Sequence, residues 1–254
     1  ELQVEMLRKL ELSKDAHHAL LNRCRGRGIE FMSTPFDLDS LKFLVEEIGI
    51  RRIKIPSGEI TNGPLLLQAA RSGKPIILST GMSTMEEIGE ALAVLSFGYT
   101  KASATPSHAG FREAYDSANG RRVLAEKVTV LHCVTEYPAP LEDVNLRAIS
   151  LIRESFATAV GYSDHTLGIS AALAAVAIGA TVIEKHFTLD KTLPGPDHGA
   201  SLDPVDLNSL IKGIREITVA LGDARKEPTA AELRNRVVAR KSIVAARAIR
   251  LGDR

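Results

Sequence analysis

Short apolar runs of strand length alternate along this chain with longer stretches whose apolar residues recur at helical spacing. Ile29-Glu30-Phe31-Met32-Ser33-Thr34 reads as a strand that Pro35 stops. Five further runs follow: Arg52 to Ser57, Pro75 to Gly81, Val128 to Thr135, Thr158 to Ser163 and Ala180 to Thr188. Between them lie helical patterns. Leu2 to Arg23 carries Leu7, Leu10, Leu20 and Leu21 at helical spacing, with Ser13 or Asp15 as a cap for its second half and Gly26 and Gly28 at its end. Asp37 or Asp39 caps a helix that reaches Gly49, and Asn62 to Ser72 forms the next. Ser83 or Thr84, followed by Glu86 and Glu87, opens another in capping-box style. Asn145–Phe156, Leu167–Ile178 and Pro204–Leu221 complete the set.

Strands alternating with helices predict an α/β fold with a parallel sheet covered by helices. Polar strand ends fall at Thr34, Ser57, Ser79, Thr135, Ser163 and His186. Chemistry gathered just beyond strand ends is the habit of a TIM (β/α)8 barrel. A doubly wound sheet is the alternative, but no G-x-G-x-x-G follows a strand. Six strands are readable where a closed barrel uses eight, so the expectation is that two βα units precede Glu1. Tyr99 to Glu126 is polar, rich in Ser, Ala and Gly, and without clear period. It reads as an inserted loop with a short helix near Arg112 to Tyr115. Arg240 to Ala246 reads as a new strand after a linker around Pro228.

Composition narrows the function. The 254 residues carry a net charge of +1, which makes no electrostatic case for nucleic acid or an acidic membrane. The late basic cluster Arg234, Arg236, Arg240, Lys241, Arg247 and Arg250 reads as a solvated face and linker. The longest apolar span, Ile169 to Ile183, is interrupted and too short to cross a bilayer. Two distant cysteines, Cys24 and Cys133, suit a reducing, cytoplasmic setting.

The densest chemistry lies between Gly161 and His198. Gly161-Tyr162-Ser163-Asp164-His165-Thr166 and Glu184-Lys185-His186-Phe187-Thr188 both end an apolar run in a polar burst with a histidine. Alternation puts Ser163 and His165 on one strand face, and Glu184 and His186 on one face of the other. On neighbouring parallel strands, two imidazoles and a carboxylate would meet, which suits an open metal site. Lys54 alternates toward the interior. There it needs an anion such as a phosphate or carboxylate ligand, or an internal pair with Glu59 or Glu184; both readings stand. Gly58 permits a turn presenting Ser57 and Glu59, and Glu59 could relay a proton or hold a metal-bound water. The hydroxyls of Thr34, Ser57, Ser79, Thr135 and Ser163 suit phosphate oxygens as a set, although each alone also suits a helix cap. Tyr137 shares a face with Cys133 and Thr135 and either meets a substrate hydroxyl or packs in a loop. Cys133 reads as a buried hydrophobe and His132 as an outer-face structural residue.

Six ordered motifs resemble the sialic acid synthase family, which includes N-acetylneuraminate, legionaminate and pseudaminate synthases. They are Phe31-Met32-Ser33-Thr34-Pro35-Phe36-Asp37, Lys54-Ile55-Pro56-Ser57-Gly58-Glu59, Ser79-Thr80-Gly81-Met82, His132-Cys133-Val134-Thr135-Glu136-Tyr137-Pro138, Gly161 to Gly168, and Glu184 to Thr188 with Pro194-Gly195-Pro196-Asp197-His198. The resemblance implies a TIM barrel over residues 1–223, a linker over 224–241, and the start of an antifreeze-like (SAF) domain at 242–254. It implies condensation of phosphoenolpyruvate with an N-acetylated amino sugar, releasing phosphate. His165 and His186 would bind a divalent metal, typically Mn2+, with Mg2+ or Co2+ as substitutes. Lys54, Thr34, Ser57, Ser79, Thr135 and Ser163 would line the phosphoenolpyruvate site. Glu59 and Glu184 would act near the metal, with Phe36, Tyr137 and Asp197 facing substrate. A domain-swapped homodimer is implied as well. The family's acidic-glycine-asparagine-histidine motif, and a further site lysine and glutamine, have no counterpart after Glu1. The expectation is therefore that a longer chain turns over and this stretch alone does not.

Overall fold

The computed structural model describes Arg8 and residues 10–252. It divides into two units, Glu1–Ala220 and Leu221–Arg254. Helix α1, Lys14–Arg27, begins where the Ser13 hydroxyl accepts from the Ala16 amide, and ends at Gly28 with φ 67°. Of the capping alternatives, Ser13 is used, and Gly26 stays inside the helix. Residues 1–7 and 9 of the expected first helix lie outside the described residues. Asp37 caps α2, Leu38–Lys42, which continues as a π-helical segment, Phe43–Ile48, to Gly49.

Five parallel strands follow: β1 Ile53–Ile55, β2 Ile76–Ser79, β3 Val128–Cys133, β4 Ala159–Asp164 and β5 Val182–Lys185. Their spatial order equals their sequence order. A doubly wound sheet would reverse direction at a switch point, and this sheet does not. The arc is half a barrel, wound one way. Helices α3 Gly63–Arg71, α4 Met85–Thr100, α5 His108–Asp116, α6 Ala118–Lys127, α7 Arg147–Phe156, α8 Ser170–Ala177 and α9 Pro204–Leu221 connect and follow the strands. Asn62 caps α3, and Thr84 with Glu87 closes a capping box on α4. Ile53, Ile55, Leu65, Ile76, Leu78, Leu92, Leu95, Val130 and Ile149 are fully buried in the main apolar cluster, which fixes which strand face looks inward.

Three expectations are corrected. Ile29–Thr34 is not a strand: it forms no ladder with β1, and Arg52 instead grips Glu30 through two 2.9 Å bonds. Strand-like patterning gives capacity, but pairing needs a neighbour in register. Residues 99–126 are not a loop. They hold the end of α4, all of α5 and most of α6, and Ala114, Val123 and Leu124 are buried. Small residues let these helices approach closely; a Cβ on Gly120 would lie 1.9 Å from the Ala114 carbonyl oxygen. In the second unit, α10, Ala230–Ala239, starts at Thr229 with a capping box and occupies most of the expected linker. Arg240–Ala246 forms no strand; Ile243 and Val244 are exposed, and a lone strand leaves its backbone groups unpaired.

Candidate functional site

The polar ends of β1, β2, β4 and β5 converge inside the arc. Lys54 turns inward from β1 and is 6% exposed. Its Nζ donates to Ser79 Oγ at 2.8 Å and lies 3.5 Å from Glu184 Oε2. Ser163 donates to Glu184 Oε1 at 2.6 Å, across the register pair that joins β4 to β5. A continuous polar chain, Ser79–Lys54–Glu184–Ser163, thus crosses the interior. The chain itself supplies a carboxylate for Lys54, and that carboxylate is Glu184, not Glu59. Ser57 Oγ accepts from the Gly81 amide at 2.9 Å and lies 3.7 Å from Cys133 Sγ. Gly81 is tightly enclosed: a Cβ there would lie 2.1 Å from Thr135 Oγ1 and 2.9 Å from Ser57 Oγ. Four of the five expected hydroxyls thus fall into two groups, Ser79 and Ser163 joined through Lys54 and Glu184, and Ser57 and Thr135 flanking Gly81.

The two histidines meet just beyond β4 and β5, with ring centroids 5.5 Å apart. Tyr137 lies over both, at 4.2 Å from His165 and 5.4 Å from His186. Asp197 Oδ2 is 3.7 Å from His186 Nδ1. His165 Nδ1 donates to the Val134 carbonyl at 2.6 Å, which leaves Nε2 as the lone-pair nitrogen. Ser163 Oγ is 3.4 Å from that Nε2, but its proton is given to Glu184. Burial holds His186 below the ordinary imidazole range, against the upward pull of Asp197. An imidazole pair, one member oriented by a backbone carbonyl, is a donor set that fits a divalent cation. Among the described residues no three His, Cys, Asp or Glu side chains form a metal cluster, so such an ion would take its remaining ligands from water or substrate. Burial raises Tyr137, reinforced by Cys133, Asp197 and Glu184, and keeps its phenol a hydrogen-bond donor. No described helix is long and apolar enough to cross a membrane.

Three expected residues are not brought to this cluster by any contact. Glu59 lies in a 3-10 turn, Ser57–Glu59, and accepts from Asn62 Nδ2 at 2.6 Å. Strand alternation ends at Ile55, so it no longer governs where Glu59 points. Thr34 and Phe36 line a separate cavity of about 840 Å³ with Lys14, His17 and Phe43. Cys133 is buried, as expected. Its thiol, raised by burial, sits 3.9 Å from His165 Nδ1, on the face it shares with Thr135 and Tyr137. His132 does face outward: Nε2 lies 2.6 Å from the Val144 carbonyl, and the ring stacks on Tyr162. The pairing of Asp164 with Lys185 was not foreseen. They form a buried ion pair at 2.8 Å on the outward face of β4 and β5, a partnership the same alternation rule could have exposed.

Comparison with known proteins agrees with this geometry. Residues 1–226 match the model of the NeuB family. N,N'-diacetyllegionaminic acid synthase of Campylobacter jejuni is 47% identical over all of this chain and 69% of its own length. The protein of the same description from Legionella pneumophila is 43% identical over 95% of this chain and 62% of its own length. The crystal structure of N-acetylneuraminic acid synthetase from Leptospira borgpetersenii superposes with a TM-score of 0.77, at 34% identity, over 92% of this chain and 73% of the other. With its residues 1–226 matched and its strand-end motifs gathered at one site, this chain belongs to the NeuB family.

Proposed function

We propose that this chain carries the core of a synthase that joins phosphoenolpyruvate to an N-acetylated amino sugar and water, yielding a nonulosonic acid and phosphate. The observation that carries the reading is the juxtaposition of a nearly buried lysine, a carboxylate and two imidazoles at one end of a parallel arc. We read the arc as part of a TIM barrel, continued by the antifreeze-like domain expected from residue 242, in a domain-swapped homodimer of the cytoplasm.

In this reading Lys54, with the hydroxyls of Ser57, Ser79, Thr135 and Ser163, holds the phosphate and carboxylate of phosphoenolpyruvate. Fixed donors cost no reorganisation as charge builds on the departing phosphate. Glu184, bonded to Ser163 and paired with Lys54, accepts a proton from the water that adds to the former enol carbon. Tyr137 donates a hydrogen bond to the sugar, and Asp197 accepts from a sugar hydroxyl. A divalent ion held by His165 and His186, most simply Mn2+, would polarise the sugar aldehyde as a Lewis acid. The C–C bond forms from the methylene carbon of phosphoenolpyruvate to the aldehyde carbon, and the water adds to the neighbouring carbon that bears the phosphate. A C–O bond then breaks to release phosphate. Glu59, Thr34 and Phe36 carry no role in this account, since their observed contacts lie elsewhere.

The sugar we infer is the diacetamido-trideoxy hexose rather than N-acetylmannosamine, because the two relatives above are described as N,N'-diacetyllegionaminic acid synthases. A phosphorylated sugar needs a second cation, and Lys185 is committed to Asp164 on the opposite face. The test is phosphate release by the full-length protein with phosphoenolpyruvate, Mn2+ and each sugar, against a control without sugar. Sugar-dependent release that favours the diacetamido sugar supports the proposal. Release only with a phosphorylated sugar, or none while Mn2+ binds, overturns it.

A further inference from the structure

Behind the two histidines lies a second, buried polar cluster that touches no inward-facing residue of the site. Asp164 and Lys185 are register partners at the ends of β4 and β5, each one residue before a histidine. Their side chains are 0% and 5% exposed. Lys185 Nζ donates to Asp164 Oδ2 at 2.8 Å and to the Thr166 carbonyl at 2.5 Å. Asp164 Oδ1 accepts from the Thr166 amide at 2.8 Å, the N–H of the peptide bond that follows His165. Tyr162, one turn of alternation earlier and 1% exposed, also hydrogen-bonds to Asp164. The pair therefore grips the backbone after His165 from a cation rooted one residue before His186. Buried ion pairs are a poor source of net stability, and apolar replacements of similar volume often serve as well. What they supply is a fixed geometry.

We propose that Asp164 and Lys185 form a positioning pair that sets the separation and aim of the His165 and His186 imidazoles, and through them the affinity of the site for a divalent cation. The inference rests on the reading of those histidines as metal ligands. It assigns the pair no contact with substrate. Outer partners that orient metal ligands commonly change affinity 10- to 100-fold when removed, and an effect of about that size is expected here.

The experiment measures Mn2+ binding to the full chain by electron paramagnetic resonance, alongside thermal unfolding. Asp164→Asn and Lys185→Met each leave a buried charge alone and lower Tm. The double variant leaves none and regains Tm. If the pair positions the histidines, the folded double variant still binds Mn2+ about 10-fold or more weakly, with an altered spectrum. Parental affinity in the folded double variant overturns the inference. Should the double variant not fold, Lys185→Arg decides, since it keeps the charge but changes the reach of the head group. Weakened Mn2+ binding there supports the proposal, and parental binding overturns it. A parent that binds no Mn2+ overturns the metal reading and this inference together, whereas equal binding by parent and variants overturns this inference alone.

Discussion

Gly161→Ala tests how far the site depends on the spacing of two strands. Gly161 faces the interior of β4, two residues before Ser163, and is the register partner of Val182 on β5. A Cβ at Gly161 would lie 2.4 Å from the Val182 carbonyl oxygen and 2.5 Å from Leu131 Cδ2. The leucine can turn aside; the carbonyl belongs to the backbone and cannot. Ordinary contact begins near 3.4 Å, so β4 and β5 must part locally by about 1 Å. The Thr181 amide to Val160 carbonyl bond, now 2.8 Å, would then be lost or badly stretched. Overpacking at about 1–3 kcal/mol and one or two ladder bonds at about 0.5–1.5 kcal/mol each give a loss of about 1.5–6 kcal/mol. For a chain of this size that is a fall in Tm of roughly 3–24 °C. Urea unfolding followed by circular dichroism measures it directly. Gly26→Ala is the control, because Gly26 lies within α1 with nothing within 4 Å of its Cβ position, and alanine there should hold or raise stability. A Gly161→Ala variant whose Tm stays within about 2 °C of the parent would refute the steric reasoning.

Other expectations follow from single contacts. Glu184→Gln removes a carboxylate 3.5 Å from Lys54 that competes with any anionic ligand. Because Glu184 is partly exposed, screening limits the gain to about 1 kcal/mol, so phosphoenolpyruvate should bind about fivefold tighter by calorimetry without metal while turnover falls; unchanged or weaker binding counts against the assigned roles. Asp37→Ala removes the cap that accepts from Ser40 N and should cost about 1 kcal/mol at neutral pH. The Ser40 hydrogen bonds, side chain first, hold the Asp37 carboxyl below 3.8, so its contribution is present above about pH 4 and disappears as pH falls through the lowered value. Denaturation curves of parent and variant should therefore converge in acid, and a constant gap would show that the carboxylate charge is not the stabilising feature.

Parallel strands buried on both faces write themselves as near-continuous apolar runs. That is why β1 to β5 were legible, along with the inward turn of Lys54, Ser163 and Glu184. Caps were readable to within two residues where side-chain chemistry is local, as at Ser13, Asp37 and Thr84. Misreadings came where the deciding partner is distant or where the period breaks. Ile29–Thr34 has the composition of a strand but no ladder. The small residues of 99–126 conceal two helices because close packing of glycine and alanine leaves no strong apolar period. Glu59 was read from the turn that Gly58 permits; the turn is there, and in it the carboxylate accepts from Asn62. Thr34 was placed as the end of that expected strand and Phe36 by the resemblance, and their cavity is lined by α1, whose contribution no strand pattern announces.

The two faces of β4 and β5 divide the labour of the site. Inward, Ser163 and Glu184 share a proton and meet Lys54; outward, Asp164 and Lys185 close an ion pair shielded from water. Both pairs are cross-strand partners in one ladder, at successive positions. A slip of β5 by one residue would turn Lys185 into the cavity and send Glu184 outward among the helices, while Ser163 and Asp164 on β4 stay where they are. Lys185 would lose Asp164, and Glu184 would leave Lys54 buried without a counter-charge. Register is thus held by charge as well as by apolar packing, and the same ladder that orders the fold delivers two histidines, one residue past its last pair, to a common point. Chemistry at the ends of parallel strands is cheap to specify for this reason: the ladder aligns residues far apart in sequence, and alternation decides which of them can meet.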